Sequence, residues 1–451
     1  MSAEHMRGAY ARLTQSFSLA TIPSVQARIL RLTALKAALG TFQARIVAAA
    51  QQDFARRSEV ETLMAEIMPL GEAISHTVRH LKRWTRPQTS YRLKPIPGRA
   101  ELWTEPKGVV GILAPWNYPF YLSLMPAIAA VAAGNKVIIK PSERAPESAR
   151  VLAELVSTVF PTDDVVVVEG AAETAKTLAS LPLGHLFFTG STATGRRVAA
   201  AAAQTLTPVT LELGGRCPAI ALEGTEPERH AGMIGYGAWL NGGQTCIAPN
   251  HLWVPAGTAH HWAEALLAVA KRFMPNDSTA LIDENAQARL ADMLAHTDAE
   301  HTLAIEESNS AAPRVVINPA PDSPLMTQEI FGPVLPIRTY SDIAEVITAE
   351  RGSNPLAAYV FGPDKARARA VLTDIRSGGA AINATIFHIA LPDMPFGGIG
   401  ASGMGAYHGR RGFDEFSHQR TVFTAVSGPW TNLILPPYSA RIKQLLRRIA
   451  R

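Results

Sequence analysis

At 451 residues the chain is too long for one hydrophobic core, and at about 150 residues per unit it predicts roughly three folding units. Hydrophobic residues at 47% against charged residues at 18% describe an ordinary globular protein and exclude overall disorder. A net charge of +5 on dispersed basic residues gives no reason to expect a nucleic-acid partner, and two cysteines, Cys217 and Cys246, are too few for a disulfide framework. Met1–His5 lacks the basic-then-apolar pattern of a secretion signal, and no apolar run approaches ~18 residues. A cytoplasmic protein without a membrane span is therefore expected.

From Ser24 to about Trp84 apolar residues recur at helical spacing with almost no glycine or proline. Leu30, Leu32, Leu35 and Leu39, then Ile67, Leu70 and Ile74, predict long amphipathic helices. Pro87, Pro95 and Pro97 break the pattern, and Tyr91-Arg-Leu and Glu101-Leu-Trp-Thr read as extended segments of a ribbon leaving the main body. After Gly108 short β-branched or aromatic runs alternate with helical segments such as Ala145–Val156 and Gly195–Gln204. The runs are Val109-Val-Gly-Ile-Leu, Lys136-Val-Ile-Ile, Asp164-Val-Val-Val-Val, His185-Leu-Phe-Phe and Pro208-Val-Thr-Leu. Buried parallel strands have this composition, so an α/β fold with a doubly wound sheet is predicted. A second alternating region runs from Ile220 to about Ile382. At the C-terminus, Ser439 to Arg451 sets Ile442, Leu445, Leu446 and Ile449 on one helical face among arginines and a lysine. This predicts an amphipathic helix docked on the body or on a partner subunit, with weak attachment to anionic membrane as the alternative.

Five segments carry chemistry. In Asn241-Gly-Gly-Gln-Thr-Cys246-Ile-Ala-Pro, glycines and a proline frame a cysteine at a tight, irregular site. Such a thiol is either a nucleophile or a small buried hydrophobe, and Cys217 in Gly214-Gly-Arg-Cys-Pro218 is the competing thiol. Glu212, between two leucines at a strand end, is either a desolvated general base or a carboxylate in solvent. Asn117, in Ala114-Pro-Trp-Asn-Tyr-Pro, is a rigid neutral donor suited to an oxyanion, or a turn asparagine. His185-Leu-Phe-Phe-Thr-Gly190-Ser191 runs from a strand into a helix start that suits phosphate, and Lys140-Pro-Ser-Glu143 ends a strand in groups that suit ribose hydroxyls. Either is also compatible with an ordinary strand-to-helix turn. Gly398-Ile-Gly-Ala-Ser-Gly403 matches G-x-G-x-x-G but follows Pro395-Phe rather than an apolar strand, so a flexible loop is expected there.

Taken together, these segments resemble the aldehyde dehydrogenase superfamily over almost the whole chain. The likeness rests on Pro115-Trp-Asn-Tyr-Pro119, Lys140-Pro-Ser-Glu143, Phe188-Thr-Gly-Ser191, Leu211-Glu-Leu-Gly-Gly215, Gly243-Gln-Thr-Cys246, Glu329-Ile-Phe-Gly-Pro333 and Pro395-Phe-Gly-Gly398, in that order. A narrower likeness, to the class 3 branch and its bacterial coniferyl aldehyde dehydrogenase-like enzymes, is carried by Asp53-Phe-Ala-Arg-Arg-Ser-Glu-Val-Glu61, Cys246-Ile-Ala-Pro249 and Ser402-Gly-Met-Gly-Ala-Tyr-His-Gly409. The chain departs from the family pattern at Arg216-Cys217, Asn250 and Asn383-Ala384, none of them a catalytic group.

The resemblance implies a doubly wound NAD(P)-binding domain from residues 1–85 and 108–213 and an α/β catalytic domain from 214–398. Residues 86–107 and 399–451 would form a small β oligomerisation element and tail, supporting a homodimer. It also implies a non-acylating oxidation of aldehydes to acids, without a metal, through a thioester on Cys246. Asn117 and the Cys246 N–H would hold the oxyanion, and Glu212 would activate water. Gly190 and Ser191 would meet the pyrophosphate, Lys140 and Glu143 the adenosine ribose, and Glu329 with Phe331 the nicotinamide half. The expected cofactor is NAD, with some NADP use. The expected substrates are aromatic or medium-chain aldehydes, coniferyl-type among them, with Tyr118, Tyr236, Trp239 and His408 as candidates for an apolar entrance.

Overall fold

Long helices form where the apolar spacing demands them. Val25–Asp53 and Met68–Trp84 are joined by Glu59–Thr62 and a π-helical turn, Leu63–Ile67. Ser24 caps the first of these, its hydroxyl accepting from the Ala27 N–H at 3.2 Å. Leu32, Leu35, Leu39, Leu70 and Ile74 are buried, whereas Leu30 is 61% exposed, so the buried stripe is narrower than the sequence pattern suggests. Ala3–Leu19 is a further helix, whose Met6, Ala9 and Leu13 pack in one cluster with Val109, Leu113 and Ile138. The computed structural model describes residues 3–19, 22–92, 97–273, 278–304, 312–428 and 435–449.

Three sheets organise the rest. Strands β1 (Gln88–Arg92) and β2 (Gly98–Pro106) pair antiparallel, which accounts for the extended reading at Tyr91 and Glu101. Leu93 and Pro95 lie outside the described residues. Next come β3 (Val109–Leu113), β4 (Lys136–Lys140), β5 (Val165–Val167), β6 (His185–Gly190) and β7 (Val209–Leu213), with helices between them. They are followed by β8 (Cys217–Ala221), β9 (Pro249–Pro255), β10 (His301–Ala304), β11 (Arg314–Ile317), β12 (Val334–Tyr340), β13 (Ala357–Phe361) and β14 (Gly379–Ile382). The chain closes with β15 (Gly403–Met404), β16 (Ser417–Ala425) and the helix Ala440–Ile449.

The first large sheet has the order β15-β7-β6-β3-β4-β5 and is parallel except for β15. The chain proceeds outward from β3 through β4 and β5, then returns to the other side of β3 for β6 and β7. That reversal opens a crevice at the carboxyl ends of β3 and β6, as in doubly wound folds generally. The second large sheet has the order β10-β11-β12-β9-β8-β13-β14, parallel except for β10. In the small sheet, β16 runs antiparallel along the whole of β2. An α/β architecture with a Rossmann-like sheet, a separate second sheet and a small β sheet is therefore present.

One expectation needs correction. The glycine segment 398–403 is not a loose loop: it forms a 3-10 turn, Gly400–Ser402, and then β15, which places Gly403 opposite Glu212 of β7. A Cβ at Gly398 would lie 2.0 Å from the Ser402 carbonyl oxygen, and one at Gly403 (φ +149) 2.3 Å from that of Leu211. These glycines permit close backbone approach rather than flexibility. The basic C-terminal helix forms as predicted, but Leu445 and Leu446 remain 53% and 56% exposed, so its apolar face is not docked on the body among the described residues. Residues 450–451, and the Ile449 side chain, lie outside them. Among the described residues no helix is long and apolar enough to cross a membrane.

Candidate active site

Cys246 owes its position to a left-handed turn. After the helix Pro227–Trp239, Asn241, Gly242 and Gly243 adopt φ values of 55°, 61° and 72°. A Cβ on Gly242 would come within 2.6 Å of the Thr279 carbonyl oxygen, and one on Gly243 within 2.2 Å of that of Gly332, so only glycine fits. Gln244 locks the turn: its Nε2 donates to the carbonyls of Asn241 (2.9 Å) and Ala280 (3.0 Å), and its Oε1 accepts from the Ile282 N–H (2.9 Å). Cys246 emerges partly exposed, whereas Cys217 is buried on β8 beneath it. The Cys217 thiol donates to the Cys246 carbonyl at 3.5 Å and accepts from the Ala357 N–H at 3.3 Å. Buried and held between these two backbone groups, Cys217 packs, and burial pushes its thiol up to about 12.

Two cavities reach Cys246. One, of about 550 Å³, is a groove lined by Asn117, Glu212, Glu329 and Phe331. The other, of about 120 Å³, is a tunnel lined by Tyr118, Tyr121, Tyr236, Ile386 and Phe387. Cys246 is the residue common to both linings. Burial, then the charges of Glu329 and Glu212, push its thiol well above the ordinary range, so the thiolate needs a base or a change in that environment to form.

Asn117 is held from both ends. Its backbone carbonyl accepts from Arg57 Nη1 (3.1 Å) and Asn241 Nδ2 (3.0 Å). Its amide nitrogen donates to the Gln244 carbonyl (3.0 Å), which leaves a second N–H for a ligand. Glu212 is 3% exposed, and neither carboxylate oxygen has a partner among the described residues. Burial raises its pKa well above the usual carboxylate range, which disposes of the alternative that it sits in solvent.

The groove continues into a cavity of about 660 Å³ that shares Trp116, Arg144, Gly190 and Ser191 with it and adds Lys140 and Glu143. Lys140, buried at the end of β4, donates to Glu143 Oε2 at 2.6 Å, while the Glu143 side chain is 48% exposed. Burial alone would raise the Glu143 pKa, but the hydrogen bond and charge of Lys140 hold it below the usual value. Gly190 ends β6, and Ser191 caps the helix Thr192–Ala203 with its hydroxyl accepting from the Thr194 N–H. Glu329 lies over Gly214, where a Cβ would clash with its Oε2 at 2.0 Å. Burial raises the Glu329 pKa to about 7, against an opposing Gly215 hydrogen bond and the Arg289 charge. Phe331 (φ 46) meets Trp116 edge-on at 5.5 Å, and Arg144 stacks on Trp116 at 4.4 Å. A helix start at the chain-reversal crevice, an exposed carboxylate beside a buried lysine, and the unpartnered Glu329 Oε1 fit a dinucleotide along this groove.

Several contributors escape sequence reasoning. Arg57 pairs with buried Glu66 at 3.2 Å, and Glu66 Oε2 accepts from the Phe120 (2.8 Å) and Tyr121 (3.2 Å) N–H groups just after Asn117. Asp53 accepts from the backbone N–H groups of Glu147 (3.0 Å) and Ser148 (2.8 Å), and Glu61 from the Asn241 N–H (3.1 Å). The segment 53–61 thus braces the start of the helix Pro146–Val159, the Asn117 loop and the turn before Cys246. Arg289 donates to the backbone carbonyls of Glu329, Ile330 and Phe331, and Asn250 Oδ1 accepts from the Ile330 N–H (2.9 Å). Of the four entrance candidates, Tyr118 and Tyr236 line the tunnel. Trp239 lines an adjoining chamber instead. His408 is buried, 3.2 Å from the Tyr121 hydroxyl and stacked on Phe396, because β15 draws its segment into the core.

Comparison with known proteins accords with this geometry. A sequence profile described as the aldehyde dehydrogenase family matches residues 21–422. A Pseudomonas aeruginosa protein named "Probable coniferyl aldehyde dehydrogenase" is 38% identical, over 98% of this chain and 95% of its own. A Staphylococcus aureus 4,4'-diaponeurosporen-aldehyde dehydrogenase is 35% identical, over 92% and 93%. The substrate-bound structure of Staphylococcus aureus AldH superposes with a TM-score of 0.93 at 33% identity, covering 98% of this chain and 99% of that one. The chain therefore belongs to the aldehyde dehydrogenase family, as an NAD(P)-dependent enzyme that oxidises aldehydes through a catalytic cysteine.

Proposed function

We propose that Cys246 is that cysteine, that Asn117 is its oxyanion donor and that Glu212 is the base for hydrolysis. The observation that carries the assignment is the position of Cys246 as the residue shared by a polar groove and an apolar tunnel. The Cys246 thiolate attacks the aldehyde carbon arriving through the tunnel, and the free Asn117 N–H and the Cys246 backbone N–H hold the resulting oxyanion. NAD(P) bound in the groove supplies the hydride acceptor. Lys140, Glu143, Gly190 and Ser191 bind its adenosine and phosphate end, and Glu329 with Phe331 orients the other end. A thioester then remains on Cys246. Glu212 takes a proton from the water that attacks the thioester carbonyl, which releases the acid and the thiol.

Half-exposed Glu143 accepts from ribose hydroxyls and repels a 2′-phosphate, so NAD is preferred with some NADP use. Strict NADP dependence would contradict this. The narrow aromatic tunnel favours aromatic or medium-chain aldehydes, in keeping with the coniferyl aldehyde in one relative's name. Residues 1–85 and 108–213 form the cofactor domain, 214–398 the catalytic domain, and 86–107 with 399–451 the subunit contact of a homodimer. Tyr91 and Phe423, 78% and 44% exposed on the small sheet, support that contact. Two unpaired cysteines suit a cytoplasmic location.

The test is NADH absorbance with benzaldehyde and NAD, with and without coenzyme A. Turnover independent of coenzyme A is expected. Turnover that requires it would make the enzyme an acylating dehydrogenase and remove Glu212 from the reaction.

A further inference from the structure

Pro115, Trp116, Arg144, Thr189, Gly190 and Ser191 line both the groove beside Cys246 and the cavity that continues it, so they form the neck between the two. Arg144 alone among them is charged. Other cations lie to one side of the neck and are already engaged. Lys140 donates to Glu143, Lys176 to Glu173 and Arg197 to Thr194 Oγ1, and these three line the outer cavity only. Arg289, in the groove, donates to the backbone carbonyls of Glu329, Ile330 and Phe331.

Arg144 is held in place. Its Nε and Nη2 both donate to Asp283 Oδ2, at 2.8 and 2.6 Å, and its guanidinium lies over the Trp116 ring at 4.4 Å. Asp283 is fixed in turn, because its Oδ1 accepts from the Ala286 N–H at 2.8 Å and caps the helix Glu284–Ala295. Asn285, Ala286 and Arg289 of that helix line the groove, so the ion pair ties the loop after β4 to the helical wall. Asp283 occupies one edge of the guanidinium, and the Nη1 donors have no partner among the described residues. The Arg144 side chain is 37% exposed. A half-exposed ion pair contributes little to stability; what this one provides is a guanidinium of fixed orientation with a free edge at the neck.

We propose that Arg144 clamps the pyrophosphate of the bound dinucleotide, with Asp283 and Trp116 holding the guanidinium for that contact. The inference rests on the reading of the groove as the dinucleotide site, with the adenosine ribose at Lys140 and Glu143 and the nicotinamide half at Glu329 and Phe331. The pyrophosphate joins those two ends, so it lies at the neck. Arginine suits the role because its planar fork matches phosphate oxygens, and its weak hydration lets it stack on an indole while it binds.

The experiment measures dissociation constants for adenosine and for ADP-ribose by calorimetry, in the unaltered enzyme, Arg144→Gln, Arg144→Lys and Asp283→Asn. Arg144→Gln is expected to weaken ADP-ribose by about tenfold or more, the scale of a hydrogen bond to a charged group, and adenosine by less than about twofold. Arg144→Lys keeps the charge without the fork, and Asp283→Asn leaves the guanidinium less firmly held; each should lose about threefold on ADP-ribose. Added salt should weaken ADP-ribose binding more steeply in the unaltered enzyme than in Arg144→Gln. Equal weakening of both ligands would reduce Arg144 to a packing partner of Trp116 and overturn the proposal. Unchanged ADP-ribose binding in Arg144→Gln would overturn it as well. Should Arg144→Gln fail to fold, Arg144→Lys and Asp283→Asn decide the matter by the same contrast. If the unaltered enzyme binds no ADP-ribose, the reading of the groove as the dinucleotide site fails and the clamp falls with it, a result distinct from the loss of one contact.

Discussion

The groove on one side of Cys246 is walled by strand ends, the first turns of helices and short loops, whereas the tunnel on the other is walled mostly by side chains from helices, with loop residues at 118, 245–247 and 386. Groove geometry follows from the backbone: Gly190 closes β6, Ser191 opens a helix, and Gly214 lies under Glu329. Tunnel geometry follows from the sizes of Met64, Tyr118, Tyr121, Tyr236 and Phe387. Substitutions at the groove positions away from the reacting carbon, such as Glu143, Ser191 and Glu329, should therefore alter use of the cofactor with every aldehyde alike. Substitutions in the tunnel should alter which aldehydes are used and leave the cofactor constants nearly unchanged.

Breaking the shared residue should produce the largest effect. Cys246→Ala is expected to abolish NADH formation, while Cys217→Ser stays within about threefold because its thiol only packs. Inactivation by alkylation that labels Cys217 alone would reverse the assignment. Next, Asn117→Ala should lower kcat by ~10²-fold or more, the usual loss for one oxyanion donor, with little change in NAD affinity. Normal turnover in that variant would remove Asn117 from the mechanism. On the tunnel side, kcat/KM for benzaldehyde should exceed that for acetaldehyde by about tenfold or more, because the ring buries several additional carbons. A faster acetaldehyde reaction would contradict the tunnel assignment. The smallest effect concerns pH in the groove. Glu329, raised to about 7, is neutral below that pH and a full acceptor above it. KM for NAD should accordingly fall a few-fold as pH rises through about 7, and Glu329→Gln should remove the step. A step that persists in Glu329→Gln would belong to another group.

Legibility in the sequence divides along the same line. Strands β3, β4 and β6 announce themselves by β-branched and aromatic runs, because burial on both faces leaves room for little else. Cys246, Glu212 and Asn117 stand out because each is chemically odd for its surroundings. Arg57, Arg144 and Arg289 do not, since an arginine looks the same in sequence whether it braces a buried loop or faces water. The pairing of β16 with β2 joins segments some 300 residues apart, and nothing local marks it. The glycines at 398–403 misled for a related reason: glycine that permits close approach and glycine that permits motion are written identically. The tunnel is the least legible part, as it draws on four separated stretches, and His408, one of the four entrance candidates, is buried away from it.

In the mechanism we propose, Glu212 separates the two halves of the reaction. Capture of the aldehyde and loss of hydride require the thiol and the oxyanion donors, but no water. Release of the acid requires an activated water, and Glu212 is buried, unpartnered and raised in pKa beside Cys246. Glu212→Gln keeps the shape while removing the basicity. Rapid mixing of that variant with aldehyde and NAD, followed by intact-protein mass spectrometry, tests this directly. About one equivalent of NADH per active site followed by a stall, with an acyl adduct on Cys246, is the predicted result. Steady turnover at the parent rate, with neither burst nor adduct, would remove Glu212 from the reaction.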